Sequence, residues 1–182
     1  MTASPDRGRA RWPIFAALAA VVVIADQLTK AWLVSILPVQ GDRLDVFGDY
    51  ARLVNSHNSG ALFGLFKDQA LLFGLVSIGV VGLIIWYHGS SGRNTLLSVA
   101  LGLLLGGALG NLTDRLRLGY VVDFVDIGIG GLRFYTFNVA DMAISGAVLL
   151  LIASAFLPSQ RERVNPPATS PEAPASAEAV DA

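Results

Sequence analysis

VVDFVDIGIGGLRFYTFNVAD, Val121 to Asp141, is the stretch on which the reading of this chain turns. It opens on a short apolar run that contains a carboxylate, Asp123. It closes on another, Asp141, just inside a long apolar segment, and a glycine-rich turn separates the two. Carboxylates at the edge of a membrane-spanning segment carry a high desolvation cost, so a pair of them there marks a site where they act together.

Composition fits that setting. The chain has 182 residues, of which 53% are hydrophobic and 15% charged, and its mean hydropathy is +0.58. These values belong to membrane proteins rather than soluble domains. The net charge of -1 gives no case for nucleic acid. There are no cysteines, which excludes disulfides and thiol nucleophiles. Two histidines, His57 and His88, leave a His-rich metal site without ligands, and no metal or other cofactor is expected.

Outward from the opening stretch, four spans are expected. The first begins as Ile14–Ala25 and continues past Asp26 and Lys30 to Leu37. A basic start with a short apolar core also fits a cleaved signal peptide, but no small-x-small site follows and the helical pattern runs on. Its roughly 24 residues give ~36 Å of helix, enough to span. Gln69–Tyr87, Thr95–Thr113 and Phe134–Leu157 are the other three. Arg43–Val46 and Arg52–Asn55 alternate like short, half-exposed strands. Ala61–Phe66 suits an interfacial segment, and His88–Asn94 reads as a short polar loop. Gly102, Gly106 and Gly110 recur every four residues, giving the third span one smooth face for a close neighbour. The expected organisation is an N-terminal tail over 1–13, a four-span domain over 14–157, and a disordered tail over 158–182, which holds five of the eight prolines.

Four spans put both termini on one side, and Arg7, Arg9 and Arg11 assign that side to the cytoplasm. Asp26, Lys30, Asn58, Gly60, Asn111, Asp114, Arg115, Asp123, Asn138 and Asp141 then all fall towards the opposite, outward face. Asp26 and Lys30 are one helical turn apart and, taken alone, read first as an ion pair near the interface. Arg115 equally suits the headgroup region. Asn138, Asp141 and Ser145 form one polar stripe on an apolar helix, which favours function. Asp126 reads as a bystander and His57 as a surface residue. Ser145 has no histidine placed to activate it. Two neighbouring aspartates share a proton near neutral pH, so one can activate water while the other protonates a scissile carbonyl. The rival classes are a small ion-coupled carrier, which needs polar access from both faces, and a noncatalytic scaffold, which leaves Asp141 unexplained.

The blocks DQLTK (Asp26–Lys30), NSGALFG (Asn58–Gly64), GGALGNLTDR (Gly106–Arg115), VVDFVD (Val121–Asp126) and FNVADMAI (Phe137–Ile144) resemble, in order, the bacterial lipoprotein signal peptidases, or signal peptidase II. The resemblance spans roughly residues 20–150. It implies an all-α membrane aspartic peptidase of four transmembrane helices with a small extracytoplasmic β-cradle. Such an enzyme sits in the bacterial cytoplasmic (inner) membrane and cleaves the signal peptide of prolipoproteins before a diacylglyceryl-modified cysteine. Carried over by position, Asp123 and Asp141 are the catalytic pair. Asp26, Lys30, Asn58, Gly60, Asn111, Arg115, Asn138 and Ala140 bind substrate or support the pair. The resemblance further implies a monomer among phospholipids, without a cofactor, that is inhibited by globomycin. Leu62 and Gly64 depart from the alanine and serine common in the second block.

Overall fold

The computed structural model describes residues 11–60, 70–91 and 94–156. The interfacial segment expected at Ala61–Phe66, the departures at Leu62 and Gly64, and both terminal tails apart from residues 11–13 lie outside them. Four helices are long and apolar enough to cross a membrane. They are α1 (Trp12–Ile36), α2 (Ala70–Ser91), α3 (Thr95–Leu118) and α4 (Val139–Phe156). Four strands, β1 (Arg43–Phe47), β2 (Ala51–Asn58), β3 (Val121–Ile129) and β4 (Leu132–Arg133), form one antiparallel sheet in that order. The chain is a multi-pass membrane protein with a small sheet, as expected.

Local chemistry sets the ends of these elements. Pro13 sits in the first turn of α1, where its missing N–H is no loss. Asn94 caps α3 by accepting the N–H of Leu96 at 2.8 Å, and Gly119 closes it in the left-handed region, φ 80°. A two-residue turn at Gly130–Gly131 joins β3 to β4, and φ is 55° at Gly130. β1 and β2 cover the strands read from alternation, with a bulge between Asp45 and Phe47.

α3 is the central helix, packed against α1, α2 and α4. Its glycines explain how. A Cβ on Gly102 would lie 2.9 Å from the Phe15 carbonyl oxygen, one on Gly106 2.8 Å from that of Ala19, and one on Gly107 2.5 Å from that of Ala140. Backbone therefore meets backbone on two sides of α3, as the glycine stripe predicts for one of them. Phe15, Ala19, Ile84, Leu101 and Leu105 fill the helical core, and Leu33, Val122 and Phe124 seat the sheet on the end of α1.

Three boundaries differ from the sequence reading. α4 begins at Val139 rather than Phe134, because the residues before it still follow the sheet, with Phe137 bridging to Val125. α2 runs on through Ser91, so His88 belongs to a helix rather than a polar loop. It is buried, stacked on Phe15 with ring centroids 4.0 Å apart and bonded to Ser98 at 3.1 Å. An aromatic neighbour from α1 makes that position part of the core. α3 likewise extends a turn beyond Thr113, because Arg115 and Arg117 complement its C-terminal dipole.

Candidate active site

Asp123 lies on β3 opposite Ser56 of β2, and its side chain is 2% exposed. Asn58, at the end of β2, donates to one of its oxygens at 3.0 Å. The amide of Asn58 is oriented by Gly60, whose N–H reaches the Asn58 side-chain oxygen at 3.2 Å. Asn138 donates to the other Asp123 oxygen at 2.7 Å.

Asn138 also starts α4. Its side-chain oxygen accepts the N–H of Asp141 at 3.0 Å, and its own N–H returns to the Asp141 carboxylate at 3.2 Å. This reciprocal pattern is a capping box built from Asn and Asp, three residues apart. It fixes Asp141 in the first turn, where the helix dipole favours negative charge. Asn111 of α3 donates to the other Asp141 oxygen at 2.8 Å and accepts from Asn138 at 3.2 Å. Three asparagines thus hold the two aspartates in one hydrogen-bonded network.

A buried ionic layer lies behind it. Lys30 contacts Asp26 and Asp114 at 2.8 Å each and donates to Asn111 at 3.2 Å, so all three of its protons have partners. Asp26 is fully buried, and its second oxygen accepts the N–H of Ala140 at 3.0 Å. Ala140 must be small, because its Cβ faces Gly110 and its carbonyl faces Gly107. The Asp26–Lys30 ion pair read from helical spacing is present, but it forms part of a structure that reaches Asp141 through Asn111. Arg115 is half-buried, with its guanidinium 5.9 Å from the Phe73 ring centre and within electrostatic reach of Asp123, Asp141 and Asp114.

The fold therefore gathers Asp123, Asp141, Asp26, Lys30, Asn58, Gly60, Asn111, Arg115, Asn138 and Ala140 at one end of the bundle. The sequence places Asp114 in the outward polar cluster but not among the residues that bind substrate or support the pair. Asp114 in fact ties three elements together, accepting from Lys30, from Gln27 at 2.9 Å and from the N–H of Val122 at 3.1 Å. Its spacing four residues after Gly110 on the glycine face is the available signal. Asp126 pairs with Arg133 at 2.9 Å, within the sheet. His57 is half-buried against Tyr120 rather than a surface residue, and burial lowers its pKa.

Burial pushes the Asp123 carboxyl up to about 6. The Asn58 bond opposes the rise, the Asp141 charge adds to it, and Asn138 and Lys30 pull it back. A carboxyl at that value exchanges protons readily near neutral pH, which suits general acid–base work. Among the described residues, no group of three or more His, Cys, Asp or Glu side chains is arranged to hold a metal ion.

Residues 18–157 match the family model described as signal peptidase (SPase) II. A lipoprotein signal peptidase of Caulobacter vibrioides is 40% identical over 155 residues, covering 80% of this chain and 88% of that one. One from Moorella thermoacetica is 38% identical over 84% of this chain and 99% of its own length. Two solved structures, each described as a bacterial membrane enzyme, are 30% identical to it. One has a TM-score of 0.74, covering 81% of this chain and 90% of that one, and the other 0.73, covering 82% and 96%. With its four apolar helices and its match over residues 18–157, the chain belongs to the signal peptidase II family of membrane peptidases.

Proposed function

We propose that the protein hydrolyses the peptide bond preceding a diacylglyceryl-modified cysteine in prolipoproteins, using Asp123 and Asp141 as a proton-sharing pair. The observation that carries this reading is the shared asparagine network. Asn138 bonds both carboxylates at once, at 2.7 Å and 3.2 Å, so neither can turn away from the other. Two such carboxyls resist double ionisation, and the pair holds one proton near neutral pH. The ionised member takes a proton from water, which attacks the scissile carbonyl. The protonated member donates to the carbonyl oxygen; on collapse, the carboxyl that gained the water proton passes it to the departing amine while the other takes back a hydroxyl proton. Lys30 acts at one remove by fixing Asn111, and Arg115 supplies positive charge beside the pair.

The lipid-anchored substrate suits a site at the membrane edge, where acyl chains stay in the bilayer while the bond meets water. Arg7, Arg9 and Arg11 favour an extracytoplasmic site in the bacterial cytoplasmic membrane. The far end of the bundle is packed with the rings of Trp12, Phe15 and His88, which argues against a carrier open to both sides.

The test is to incubate the full-length protein in detergent or nanodiscs with a diacylglyceryl-modified prolipoprotein in water enriched in heavy oxygen. Mass spectrometry should find the new amino terminus on the lipidated cysteine and one labelled oxygen on the released signal peptide, with or without chelator. Equal cleavage of the unlipidated precursor, or loss of activity in chelator, contradicts the proposal.

A further inference from the structure

A cavity of about 170 Å³ opens beside Asp123, between the end of β2 and the segment leading into α4. Ser56, Ser59, Tyr135 and Thr136 line it, and Asp123 forms one wall. The Thr136 hydroxyl approaches that of Ser56 at 3.5 Å, so two hydroxyls share one side. His57 also borders the space, but its ring is stacked on Tyr120 with centroids 3.8 Å apart. Burial lowers the His57 pKa and keeps it neutral at pH 7. Asp123, which shares one negative charge with Asp141, is then the one acidic group among the described lining residues.

Position decides what such a cavity takes. A signal peptide reaches the dyad from the bilayer, and the mature polypeptide leaves into water. The cavity lies on the sheet side of Asp123, among strand and linker residues rather than spanning helices. Its hydroxyl lining suits a polar group, and the Asp123 wall repels a carboxylate. We propose that this cavity is the subsite for the residue that follows the lipid-modified cysteine, and that it selects an uncharged polar side chain there. The proposal rests on the peptidase reading above.

The test uses the full-length protein and a series of diacylglyceryl-modified prolipoproteins that differ only at that residue, carrying Ser, Asn, Gly, Asp or Leu. Ser and Asn should give the highest kcat/KM, with Asp and Leu lower by roughly tenfold or more, a scale set by what one pocket contact can discriminate. Thr136→Leu, which replaces a lining hydroxyl with apolar surface, should erase the preference for Ser over Gly, and Thr136→Ser should keep it. Equal kcat/KM across the series, or an unchanged Ser-to-Gly ratio in Thr136→Leu, overturns the subsite alone. Cleavage of none of the series by the unmodified enzyme overturns the peptidase reading and the subsite with it.

Discussion

Asn138 holds Asp123 at 2.7 Å through its side-chain amide while the oxygen of the same amide caps the helix that carries Asp141. One residue thus sets both the protonation and the position of the pair. Asn138→Ala should lower kcat by roughly 10²-fold through misplacement of the two carboxyls. It also removes a hydrogen bond that lowers the Asp123 pKa, so the limb of the pH–rate profile governed by Asp123 should move to higher pH. A profile that keeps its shape and position counts against this role.

Lys30 is buried between Asp26 and Asp114, with 2.8 Å to each. Lys30→Met leaves two buried carboxylates without their cation and should destabilise the fold by about 3 kcal/mol, within the range for broken buried pairs. Thermal unfolding in detergent measures this, and activity should fall alongside because Asn111 loses its support. An unchanged unfolding midpoint contradicts the assignment of the layer as structural support.

Glycines of α3 and α2 should respond oppositely to the same substitution. A Cβ on Gly107 would lie 2.5 Å from the Ala140 carbonyl oxygen, a backbone atom that cannot turn aside. Gly107→Ala must push α4 outward, should cost roughly 1–3 kcal/mol, and should loosen the Asn111–Asp141 bond enough to reduce activity. A methyl group added at Gly79 would meet nothing within 4 Å, so Gly79→Ala should leave activity unchanged. Similar losses in both variants would show that the close approach of α3 and α4 is unimportant.

Much of this arrangement is legible in the residues themselves. The hydrophobic runs mark all four helices, and Gly102, Gly106 and Gly110 mark the packed face of α3. Asn138 and Asp141 at i and i+3 carry the capping box, although the spacing alone does not show that the amide also reaches across to β3. Asp114 is harder to read, because its three partners come from α1 and β3, which are distant in sequence. His88 reads as a loop residue because it is polar and a glycine follows it. Its burial depends on Phe15 and Ser98, which only tertiary contact brings to it.

Asp123 also predicts a pH dependence of stability. Its folded carboxyl, at about 6, holds a proton more tightly than the ordinary value of 3.8 allows. The folded state therefore binds more protons than the unfolded chain between those values. Stability from this group is fully present below about 4 and is lost as pH rises through 6, a change on the order of 2–3 kcal/mol. Unfolding midpoints of the unmodified protein should fall across that window more steeply than those of Asp123→Asn. Parallel curves contradict the raised value.

Single-turnover cleavage of a diacylglyceryl-modified prolipoprotein by Asp123→Asn and by Asp141→Asn tests the two-aspartate chemistry most directly. Each variant keeps the shape of its side chain but can neither accept nor deliver the proton the reaction moves. Each should still bind substrate, with cleavage lowered by roughly 10³-fold or more, a loss typical of removing one member of a catalytic unit. Turnover near that of the unmodified enzyme in either variant would contradict the assignment of Asp123 and Asp141 as the catalytic pair.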